Sequence, residues 1–102
     1  MTVKFEGVKV TLGQQTYVVP ALTIKQVRSM SDDIGAIKVI VGEPTPGQID
    51  SMLRIVQAAV SRNYPDMTVE QLEEVVDLNS LPVVMKAING QSGLERVKPG
   101  EA

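Results

Sequence analysis

The chain has 102 residues, 43% of them hydrophobic and 22% charged, with a formal net charge of −2. That length and balance favour one small globular domain over a disordered segment, and the weak negative charge argues against general affinity for nucleic acid or anionic membranes. The lack of both cysteine and histidine excludes a disulfide scaffold, a thiolate metal site and histidine-based acid–base catalysis.

Aromatic residues are confined to Phe5, Tyr17 and Tyr64, so the core has to be aliphatic. The opening MTVKFEG lacks the apolar centre of a signal peptide, and no apolar run approaches the length of a membrane span. The expected compartment is the cytosol.

Residues 3–19, VKFEGVKVTLGQQTYVV, alternate as strands do. Val3 and Phe5 share one phase; Val8, Val10 and Leu12 share the other. The slip between them at Gly7 suggests a bulge or a tight turn. GQQ at 13–15 reads as a hairpin loop and Tyr17–Val19 as the returning strand. Pro20 ends it, because proline cannot donate to a ladder.

After Pro20 the period becomes helical. Thr23 is placed to cap a helix whose apolar face is Ile24, Val27, Met30, Ile34 and Ile37. Gln26 completes a capping box, and Leu22 with Val27 forms a hydrophobic staple. SDD at 31–33 and Gly35 are candidate breaks, and the β-branched Val39-Ile40-Val41 suits helix or strand. GEPTPG at 42–47 is a linker that leads into the next helix: Thr45 caps, Pro46 takes the first helical position and Gln48 closes the box. Its stripe is Ile49, Met52, Leu53, Val56, Ala59 and Val60, ending between Asn63 and Asp66 around Pro65.

A third box follows at Thr68 and Gln71, with Met67 and Leu72 as its staple and Val69, Leu72, Val75 and Val76 on one face. A last helix runs from about Ser80 to Asn89 on Leu81, Val84, Met85 and Ile88, with Gly90 as its stop. Thr11–Gln14 repeats the Thr-x-x-Gln spacing inside strand pattern and is a false hit. The reading is an α+β domain over residues 1–90, with an N-terminal β-hairpin or small antiparallel sheet and about four helices, and a flexible tail over 91–102.

Chemistry has few candidates. Glu70, Glu73, Glu74 and Asp77 stand at spacings that put some on one helix face, as paired carboxylates or cation ligands require. Without histidine or a glycine-bearing calcium loop, the acid run reads as a solvated face. Asp32 and Asp33 read as a helix end or cap. VGEPTPG lacks the lysine and hydroxyl residue of a phosphate loop. The helices flanking DLNS resemble a helix-turn-helix only in outline, since the second offers DNA little beyond Lys86 and Asn89. Apolar residues outside the stripes are the better lead. Ile55, Val83 and Leu94, with Val97 beyond, are the candidate contacts for an apolar partner helix.

Three stretches carry a family likeness: GQQTYVVPALT at 13–23, AAVSRNYPDMT at 58–68 and DLNSLPVVMKAINGQSGL at 77–94. In these the chain resembles the tail assembly chaperones of long-tailed bacteriophages and prophages. The resemblance implies a non-enzymatic, cofactor-free assembly factor in the cytoplasm of a bacterial host. It implies binding to the tape measure protein, a long and largely helical chain. The chaperone keeps that client soluble while tail tube protein assembles around it, then departs before the virion is finished. Self-association is compatible with this role; nucleic acid and membrane are not among the implied partners. Many such chaperones are made in two lengths by a programmed frameshift, and a chain of this size matches the shorter. The alternatives are a structural tail or head–tail joining protein and, from another class, a small DNA-binding regulator.

Overall fold

A computed structural model describes residues 5–39 and 41–92. In chain order these form strands β1 (Val8–Leu12) and β2 (Gln15–Val19), then helices α1 (Ile24–Ser29), α2 (Ser31–Lys38), α3 (Pro46–Val60), α4 (Val69–Val75) and α5 (Ser80–Ser92). The architecture is α+β, a two-stranded antiparallel sheet followed by helices. Leu12 pairs with Gln15, so the loop is only Gly13-Gln14 and Gln15 belongs to the strand. Gly13 takes a φ of 65° and no described non-glycine residue has a positive φ, the pattern of a type II′ turn. Val10, Leu12 and Val19 enter the core.

Gly7 serves neither as a bulge nor as a turn. Its backbone runs against the end of β2, where an added Cβ would overlap the carbonyl of Val19. Glycine is needed there for close approach.

All three Thr-x-x-Gln boxes form. Thr23, Thr45 and Thr68 each accept the backbone N–H three residues on, and Gln26, Gln48 and Gln71 each accept the threonine N–H in return. Caps of this kind contribute about 1 kcal/mol each. A fourth box, not read from the sequence, opens α5. Asp77 Oδ1 accepts the N–H groups of Asn79 and Ser80, and Ser80 Oγ accepts that of Asp77. The first helical stretch breaks at Met30 (φ −109°, ψ 21°), ahead of SDD and Gly35. Ser31, Asp32 and Asp33 instead begin α2, where the helix dipole favours acids. Val39 and Val41 join no strand, and Ile40 lies outside the described residues. Helix α5 runs through Gly90 to Ser92, so the expected stop is corrected. A helical glycine costs about 1 kcal/mol but need not end a helix held by its packed face. The expected tail from 91 therefore begins inside α5, and its remainder, with Leu94 and Val97, lies outside the described residues.

Helix α3 is the centre of the molecule and packs against α2, α4, α5 and β2. Its buried positions are Ser51, Met52, Leu53, Ile55, Val56, Ala59 and Val60. At about 100° per residue they sweep roughly 200° of its circumference, about twice the stripe of a surface helix. Ile55 therefore corrects the sequence reading: it has no exposed surface and belongs to the core. No described helix is long and apolar enough to cross a membrane.

The chain leaving α3 is tied to the hairpin by side chains. Asn63, almost fully buried, accepts from Phe5 N–H at 2.8 Å and donates to the carbonyls of Phe5 (2.9 Å) and Val18 (3.0 Å). Tyr64 Oη accepts from Val18 N–H at 2.9 Å, and its ring meets that of Tyr17 edge-on at 5.2 Å. Both backbone groups of Val18 are thus satisfied by the α3–α4 joint. Replacing Asn63 by alanine leaves three partly buried backbone groups without their partner and is expected to lower unfolding free energy by about 2–3 kcal/mol, against about 1 kcal/mol for Tyr64→Phe. Urea denaturation of both variants checks this; a smaller loss in Asn63→Ala than in Tyr64→Phe would show that the clamp is incidental.

Candidate functional site

The acid run does not converge. Glu70, Glu73 and Glu74 lie on α4 and are exposed, while Asp77 lies past its end. Glu73 faces one cleft with Asp50. Glu74 faces another with Asp66, Gln15, Gln71 and Tyr17. No group of three or more acids among the described residues is placed to hold a metal ion. The backbone N–H groups of Ser80 and Asn79 hold the Asp77 carboxyl below its usual pKa, as expected for a carboxylate that caps a helix.

Asp33 ties α2 to α3. Its carboxylate accepts from Arg54 Nη2 at 2.7 Å and Nε at 3.1–3.2 Å, and from Ser51 Oγ at 2.9 Å. The Arg54 bond is the main cause that lowers the Asp33 pKa, and the same bond raises that of Arg54. The sequence marked Asp33 as a helix end or cap; its three-dimensional role is an interhelical bridge.

Of the three nominated apolar contacts, Ile55 is core, Val83 is exposed on α5, and Leu94 lies outside the described residues. They do not form one described surface. A different residue does organise one. Leu78, in the turn between α4 and α5, is 69% exposed and lines two adjoining clefts of about 320 and 340 Å³. Ile49 and Leu81 line both as well; Leu53 and Val76 complete the first, and Pro44, Met52 and Pro82 the second. The fourth capping box holds the turn that presents Leu78, with Asp77 and Ser80 bonded across it. One sequence signal pointed here. In DLNS, a segment of turn formers, Leu78 has no helical face to join.

No family model, curated protein or solved structure matches the chain.

Two outcomes follow from these placements. Asp33 has a folded pKa below its ordinary value of 3.8, so its bridge stabilises fully above about pH 4 and fades as pH falls through the lower folded value. Asp33→Asn should lower neutral-pH stability by no more than about 1 kcal/mol, since Arg54 is half open to water, and should flatten the acid limb of a Tm-against-pH profile. An unchanged acid limb would contradict the assignment. Ile55→Asp should cost more than about 4 kcal/mol or prevent folding, whereas Val83→Asp should stay within about 0.5 kcal/mol, as read by thermal melting.

Proposed function

We propose that this chain is a tail assembly chaperone of the long-tailed phage type, acting without catalysis in the bacterial cytoplasm. It binds the tape measure protein and keeps it soluble while tail tube protein assembles around it. The observation that carries this reading is the exposed apolar surface around Leu78, a shape suited to the apolar face of a client helix. The resemblance supplies the client's identity. Its third stretch, 77–94, contributes Leu78, Leu81 and Pro82 to this surface. Its first two stretches meet where Asn63 and Tyr64 bond Val18, so their shared texture reports the fold more than the binding.

Full burial of a leucine side chain is worth about 1.5–3 kcal/mol; with part of Leu78 already covered, a client gains about 1–2 kcal/mol there. Co-expression with the long tape measure gene of the same tail cluster should keep that protein soluble and yield a complex. Leu78→Asp should reduce recovery of the complex roughly tenfold with little change in melting temperature. Unchanged client solubility with no complex recovered would reject the reading, and finding the chain in purified virions would favour a structural tail component instead.

A further inference from the structure

The clefts around Leu78 combine an apolar floor with a rim of one charge sign. Glu43 borders the second cleft, and Asp50, Glu73 and Asp77 border the first. Among the described residues, no lysine or arginine lines either. The described basic residues lie elsewhere: Lys9 on β1, Lys25 and Arg28 on α1, Lys38 at the end of α2 and Lys86 on α5. Arg54 is bound to Asp33, and Arg62 lies over the Phe5 ring and donates to Ala21. Asp50 feels Arg54 through space, but the described ion pair of Arg54 is with Asp33. Glu43, Asp50 and Glu73 are all exposed.

We infer that this groove takes an amphipathic helix whose apolar stripe is flanked by lysine or arginine. The inference rests on reading the surface as the client site and specifies the chemistry of the client segment. Apolar side chains at successive turns of such a helix seat against Ile49, Leu78 and Leu81, as in other helix-in-groove complexes. The basic flanks face Glu43, Asp50 and Glu73. Rim charges of this kind raise the association rate and reject wrong partners more than they add affinity. An acidic helix of equal hydrophobicity is repelled. A second copy of this chain is a poor occupant through α4, since Glu70, Glu73 and Glu74 would be brought against acids of the same sign. Nucleic acid is disfavoured by the same rim.

The test uses two synthetic peptides of about 18 residues, or five helical turns, with one leucine–methionine stripe and either lysine or glutamate flanks. Fluorescence anisotropy with the full chain should show the lysine peptide binding at least roughly tenfold tighter at low salt, with the preference shrinking strongly at about 0.5 M salt. Leu78→Asp should weaken lysine-peptide binding by roughly tenfold or more. The triple variant Glu43→Gln, Asp50→Asn, Glu73→Gln should melt as the parent does and lose the preference; Glu43→Gln with Glu73→Gln serves if the triple variant unfolds. Equal binding of both peptides, binding of neither, full binding by Leu78→Asp, or a preference that survives the charge variant would each overturn the inference. The two readings fail separately. Lysine-peptide binding without tape measure capture leaves the groove inference standing and rejects the chaperone. Tape measure capture that the charge variant performs equally well leaves the chaperone and rejects the basic-flanked client.

Discussion

Asn63 reaches, with a single side chain, both the N-terminal segment at Phe5 and the outer backbone of β2 at Val18, and the remaining architecture depends on that reach. A two-stranded hairpin is marginal alone in water, and an open strand edge invites pairing with other chains. Here the amide of Asn63 and the hydroxyl of Tyr64 take the N–H and C=O of Val18 that a third strand would have taken. The joint sits directly after the most buried helix, α3, and directly before Pro65, which blocks its continuation. Sheet and central helix are therefore tied together by two consecutive side chains, while Arg62 beside them covers Phe5.

What the sequence revealed of this arrangement was mostly local. The Thr-x-x-Gln boxes span a single turn, and their geometry is set by the residues that form them, so all three were legible. The α5 stripe was legible for the same reason, since Leu81, Val84, Met85 and Ile88 repeat on one face. The Asp77–Ser80 box was not, because a linker acid and a helical serine exchange the usual residue types. Gly7, Ile55 and Asp33 were misread or half-read because each answers to neighbours distant in sequence: the end of β2, the elements packed around α3, and Arg54. Periodicity identifies the face of a helix with one partner layer. It understates a helix covered on several sides, as α3 is.

The candidate surface was less legible than the fold. Off-stripe apolar residues pointed to Ile55, which the wide burial of α3 removes, and to Val83, which is exposed but lines neither cleft. Leu78 is defined by a turn rather than a helix face, so a stripe count passes over it. The acid run was recognised as solvated, but its division between two clefts follows from how α4 packs on α3, which periodicity alone does not give.

The acids and the apolar clefts have one physical relation. An exposed patch formed by Leu78 and Pro82 above the buried Leu81 carries an association hazard on a small chain. Like charges along its rim oppose a symmetric contact through the patch, which would bring Glu73 and Asp50 toward their own counterparts. The same rim does not oppose a partner of opposite charge. A surface of this composition can stay open to a basic-flanked apolar helix without closing on itself, which an assembly factor that waits for its client requires.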